Sequence, residues 1–190
     1  MRDTDATYEV PLDLGDEGAL VYLSLGSLGS ADIELMNRLI EVLARTRHRY
    51  IVSMGPQHEH LTLAENMAGA EFLPQTSILP LVDLVITHGG NNTVTECFHF
   101  GKPMIVLPLF WDQYDNAQRV DGLGNGVRLP SYGFDDGDLT DAVERLLKDR
   151  SLRRRLGAIS KRLQESPGTA QAAGLIERLA KERGPVASPA

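Results

Sequence analysis

The sequence predicts an α/β domain with a parallel sheet and helices on both faces. Three observations predict it. Short apolar runs of strand length, such as "LVYLSL" and "DLVIT", recur between residues 19 and 130. Between them lie segments whose apolar residues repeat at helical spacing. Strands that alternate with helices in this way make a parallel sheet covered on both sides.

The elements follow in order. Residues 1–18 are polar, with Pro11 and several acids, and read as an interdomain linker. "ALVYLSLGS" is a strand closing in a Gly/Ser turn. Asp32 to Arg45 carries Ile33, Met36, Leu39, Ile40 and Leu43 on one helical face, with Asp32 or Ser30 as its cap. "RYIVSMG" is the second strand. A short helix is expected near residues 61–67, and "AEFLPQ" is the third strand. "DLVITHGG" is the fourth, followed by a helix from Asn92 to Phe100 that Gly101 stops. "PMIVLPL" is the fifth, a helix follows near 114–123, and "GVRLP" is a short sixth strand. Residues 138–183 have helical periodicity with a break at Pro167-Gly168. One folded domain is expected over 19–183, with a flexible tail over 184–190.

Bulk properties narrow the function. The chain has 190 residues, enough for one sizeable core. A hydrophobic content of 42% argues for a globular domain and against disorder. A net charge of −7 leaves no electrostatic footprint for nucleic acid. "RTRHR" and "RSLRRR" are short and sit in helical contexts, where they read as solvated faces. No apolar run is long enough for a membrane span, and the first residues lack the apolar core of a signal peptide. The single Cys97 rules out an internal disulfide and fits a reducing, cytoplasmic compartment.

Ligands of open α/β sheets bind outside the carboxyl ends of the strands. Three strand ends here carry unusual chemistry: "SLGSLGS", "THGGNNT" and "PLFWDQYDN". Gly89 and Gly90 lack a Cβ, so the backbone there can approach a ligand or take positive φ. The helix that follows begins with N–H groups lacking intrahelical partners, and its dipole favours an anion. Asn91, Asn92 and Thr93 add side-chain donors, and a neutral His88 donates as well. Together they suit phosphate. A plain strand-to-helix turn, with Thr93 and Glu96 in a capping box, accounts for the T-x-x-E spacing but not for His88 or the paired glycines. The dinucleotide fingerprint and the P-loop are both missing, which removes hydride transfer and P-loop hydrolysis. His58 and His60 have no third ligand nearby, so no metal site is expected.

From Phe72 to Gln113 the chain resembles the nucleotide-sugar signature of the family-one glycosyltransferases. These include the UDP-glucuronosyltransferases, plant secondary-product transferases and bacterial macrolide transferases. The matching pieces are Pro74-Gln75, "HGGNNT" with Glu96 eight residues after His88, "GKP" at 101–103, and "PLFWDQ" ending in Asp112 and Gln113. The resemblance implies the C-terminal, donor-binding half of a GT-B fold, Rossmann-like, in a bacterial enzyme. Phe72 sits where an aromatic stacks on the uracil, with Leu73 and Gln75 beside the base and ribose. Glu96 would accept from the ribose hydroxyls. His88, Gly89, Gly90, Asn91, Asn92 and Thr93 would hold the diphosphate, helped by Ser27. Asp112 and Gln113 would bind the sugar hydroxyls.

The resemblance further implies inverting transfer of a hexose without metal or cofactor, the UDP-sugar being a substrate. The catalytic base and the acceptor pocket would lie in an N-terminal domain or partner subunit, so no catalytic residue is expected in this chain. His88 is committed to phosphate and His99 reads as a surface residue. By itself the chain should bind UDP or a UDP-hexose without transferring the sugar, and an uncovered binding edge would favour self-association. Two alternatives are a standalone nucleotide-sugar-binding subunit of a split transferase and a nucleotide-sugar epimerase.

Overall fold

The computed structural model describes residues 6–165 and 168–182. Six strands form one sheet: β1 (Leu20–Ser24), β2 (Arg49–Ser53), β3 (Met67–Ala70), β4 (Leu84–Thr87), β5 (Met104–Val106) and β6 (Gly126–Arg128). Their order is β3-β2-β1-β4-β5-β6, and every pair is parallel. The expected fold class is therefore the observed one. Among the described residues, eight α-helices connect the strands or follow them: α1 (Gly26–Gly29), α2 (Ile33–Ala44), α3 (Gln75–Ile78), α4 (Asn91–Phe100), α5 (Gln113–Gly122), α6 (Asp136–Lys148), α7 (Arg150–Glu165) and α8 (Gly168–Glu182). Pro167 and the 184–190 tail lie outside the described residues.

Alternate residues of β1 supply two separate cores. Val21 and Leu23 join Leu39, Leu43, Tyr50 and Val143 on one face of the sheet. Leu20 and Tyr22 join Ile51, Val85, Val94, Cys97 and Val120 on the other. A strand buried on both faces has to be apolar throughout, which is why β1, β2 and β4 were conspicuous in the sequence. Each large aliphatic side chain so buried stabilises the fold by about 1.5–3 kcal/mol. Tyr8, Val10 and Leu14 pack against the second core.

Local signals set the element boundaries. Asp32 caps α2, its Oδ1 accepting the Leu35 N–H at 3.0 Å. Gly101, with φ 65°, closes α4 in the left-handed conformation that glycine adopts freely.

Three expectations need correction. The third strand is Met67–Ala70 and not "AEFLPQ"; Glu71 to Pro74 is loop, and Gln75 opens α3. Strand pairing won over side-chain character here. A Cβ at Gly69 would lie 2.4 Å from the Val52 carbonyl, so the plain sequence "MAGA" fits beside β2. The helix expected near 61–67 is absent; a 3-10 turn at His58–His60 lies just ahead of that segment, and Met67 already opens β3. The Gly/Ser turn after β1 winds into the helical turn α1.

Candidate functional site

Strand order reverses between β1 and β4: the chain builds outward from β1 to β3, then returns to β1's other side. Such a switch point opens a crevice at the strands' carboxyl ends. Ser24 of β1 and Thr87 of β4 are register partners, so the two strands finish level. Immediately beyond them lies a crevice of about 340 Å³, lined by Ser24, Gly26, Ser27, Gln75, His88, Gly90, Asn91, Asn92 and Thr93. That volume is within the usual range for small-molecule sites. Seven of the sequence-chosen residues thus meet in one place, although they come from three separate stretches of the chain.

The glycines exist for the histidine. A Cβ on Gly26, at φ +70°, would lie 2.8 Å from His88 Cε1, and one on Gly90 would lie 2.5 Å from His88 Nε2. The imidazole is therefore clasped between two stretches of bare backbone. Gly89 serves packing instead: at φ +88° its Cβ would strike Val106 Cγ1 at 2.7 Å. Gly26 was not singled out in the sequence, because its partner ring is sixty-two positions away. Only the fold reveals the pairing.

Burial lowers the His88 pKa from its ordinary 6.5, against opposing pulls from a hydrogen bond to the Ser24 backbone and the charge of Asp112. A depressed histidine leaves the unfolded chain holding the extra proton below about pH 6.5. Stability from this residue is thus complete above that pH and lost as pH falls towards the folded value. Thermal melts from pH 7.5 downward should show the wild type losing more stability than His88→Gln. Parallel curves would mean that His88 does not titrate in this way.

At α4 the N-cap is Gly90 and no side chain caps the helix. The first N–H groups of Asn91, Asn92 and Thr93 consequently lack intrahelical acceptors at the crevice wall. The capping box of the plain-turn alternative does not form. Thr93 lies inside the helix and Glu96 is used elsewhere. Glu96, read from the sequence as the ribose-binding carboxylate, is only 3% exposed. Its Oε2 accepts from Gln75 Nε2 at 2.6 Å, and the same nitrogen lies 3.3 Å from Thr93 Oγ1. Gln75 and Thr93 both line the crevice, so Glu96 sits one side chain beneath its floor.

The loop after β5 is sharply folded. Trp111 has φ 55°, a left-handed backbone that costs a bulky residue on the order of 1–3 kcal/mol, and its ring is 78% exposed. Gln113 holds the loop, its Oε1 accepting from the backbone N–H groups of Leu109 and Phe110 at 2.9 and 3.1 Å. Gln113, expected to meet sugar hydroxyls, is buried, and its amide oxygen braces the loop from inside. Asp112 is exposed. Phe72 is exposed too, three residues before Gln75, and Leu73 packs against the second core. Neither lines the crevice. Asn116 on α5 went unnoticed in the sequence; its Nδ2 lies within hydrogen-bond reach of Gly89, Asn91 and Asp112. Among the described residues, no three His, Cys, Asp or Glu side chains converge as a metal site.

Residues 8–169 match the family model described as UDP-glucoronosyl and UDP-glucosyl transferase. The chain belongs to this family. The NDP-glycosyltransferase YjiC of Bacillus subtilis (strain 168) is 31% identical over 170 residues, which cover 88% of this chain and 43% of that protein. Human UDP-glucuronosyltransferase 1A6 is 30% identical over 173 residues, covering 87% and 32%. Among solved structures, the glycotransferase of kitacinnamycin superposes with a TM-score of 0.81 at 28% identity, over 94% of this chain and 46% of that one. The chain spans less than half the length of these relatives. Its sheet is the Rossmann-like half of a GT-B glycosyltransferase. No described helix is long and apolar enough to cross a membrane.

Proposed function

We propose that this chain is the donor-binding domain of an inverting, metal-independent glycosyltransferase that moves a hexose from a UDP-sugar to a small hydroxylated acceptor. The observation that carries the reading is the crevice where β1 and β4 part, with His88 clasped between Gly26 and Gly90 beside the uncapped start of α4. His88, Ser27 and the donors of Asn91, Asn92 and Thr93 take the diphosphate. Glu96 takes the ribose hydroxyls once the Gln75 amide moves aside, and exposed Phe72 offers a ring for the base. Asp112 faces the sugar.

In the reaction the bond from the sugar C1 to the β-phosphate oxygen breaks and a bond from the acceptor oxygen to C1 forms. The acceptor proton passes to a base in the acceptor half of the protein. The developing charge on the leaving diphosphate is what fixed N–H donors at a helix start stabilise best. Leu28, Phe72 and Trp111 are 65%, 65% and 78% exposed. An acceptor-binding domain or subunit would cover such an edge, and without it the chain binds UDP or UDP-hexose but does not transfer.

Calorimetric titration with UDP, dTDP and GDP tests the reading. UDP should bind, and GDP should bind about tenfold more weakly because the purine exceeds the base site; a tenfold gap corresponds to roughly 1.4 kcal/mol. Absence of binding by both UDP and dTDP would reject a donor site.

A further inference from the structure

One side chain joins the crevice wall at the start of α4 to the loop that follows β5. Asn116 Nδ2 lies 2.9 Å from the Gly89 carbonyl oxygen, 3.0 Å from Asn91 Oδ1 and 3.4 Å from Asp112 Oδ2. Its amide carries two hydrogens, so three acceptors compete for them. The Gly89 carbonyl and the Asp112 carboxylate can only accept, which settles that Asn116 presents its nitrogen to this cluster. Asn91 must then present its oxygen to Asn116 and send its own NH₂ the other way. The Gly89 carbonyl also belongs to the peptide that carries the Gly90 N–H. In a trans peptide these two groups point in opposite directions, so anchoring the carbonyl aims the N–H. Gly90 and Asn91 both line the crevice, whereas Asn116 does not.

We infer that Asn116 is a positioning residue: without touching the donor, it orients the Asn91 amide and the Gly90 N–H towards the diphosphate and ties them to Asp112 of the sugar-side loop. This rests on the donor-site reading. The asparagine lies on α5, whose Asn116 N–H already bonds the Asp112 carbonyl at 2.9 Å, so its backbone is fixed before its side chain acts.

A double-mutant cycle on the whole chain tests this. UDP and uridine affinities would be measured by calorimetry for wild type, Asn91→Ala, Asn116→Ala and the double variant. Each single substitution should weaken UDP about tenfold, as loss of one oriented hydrogen bond to a charged group does, and the double should match Asn116→Ala within about twofold. Uridine, which lacks phosphate, should bind all four alike. Additive losses of about 100-fold in the double variant would overturn the inference, since separated sites add. An equal loss for uridine would also overturn it, by showing a general structural role. If Asn116→Ala does not fold, Asn116→Asp keeps the shape without the donor, and the same cycle applies. UDP binding by wild type with an additive cycle defeats this inference alone; failure of wild type to bind UDP or dTDP defeats the donor reading and this with it.

Discussion

Glu96→Ala is expected to lower affinity for UDP by about 100-fold, roughly 3 kcal/mol, while leaving the fold nearly intact. Two ribose hydroxyls donating to one carboxylate are charge-assisted bonds, the strong kind. The buried carboxylate has a stand-in in the unliganded chain, because Gln75 Nε2 donates to it at 2.6 Å. A ribose hydroxyl would replace that amide. Gln75→Ala should therefore cost less, about tenfold at most, since it removes a competitor for Glu96 along with a ribose contact. Calorimetry on both variants, with thermal melts as the folding control, decides the matter. Unchanged UDP affinity in Glu96→Ala would remove the ribose assignment.

Gly89→Ala is expected to destabilise the domain by about 3 kcal/mol, lowering its midpoint by about 10 °C for a chain of this size. Two effects combine. The backbone sits at φ +88°, where an L side chain is strained, and the new Cβ would lie 2.7 Å from Val106 Cγ1. Val106 is fully buried and β-branched, so it has no spare rotamer to yield. Gly90→Ala is the instructive contrast. Its φ of −62° suits any residue, and the clash is with the His88 ring alone. The melt should barely move while UDP binding falls. Equal destabilisation by the two substitutions, measured in urea, would contradict this division of labour.

Much of the fold was legible because strands buried on both faces leave continuous apolar runs. "LVYLS", "RYIVS" and "LVIT" could hardly be anything else. The third strand escaped because Met67–Ala70 lies at the sheet's edge and is half exposed, with two alanines and a glycine carrying no β signal. The neighbouring "EFLP" imitated a strand through Phe72, a ring that points into solvent. At the site, the turn that walls the crevice was readable since glycines, a histidine and a helix start are contiguous in sequence. Glu96, Gln113 and Asn116 were harder. Whether a polar side chain faces a ligand or braces a neighbour depends on which residues the fold brings beside it. A helical asparagine such as Asn116 leaves no periodicity or spacing signature.

The junction of β1 with β4 has a consequence for how the molecule holds together. The crevice walls come from Ser24–Ser27 and His88–Thr93, segments that meet only after the central strands have paired across a long stretch of chain. A nucleotide lodged there would act as a staple across the sheet's midline, and by mass action it would favour the assembled state over the unravelled one. Under the proposed function a weakened variant such as Gly89→Ala should regain much of its heat resistance when saturated with UDP.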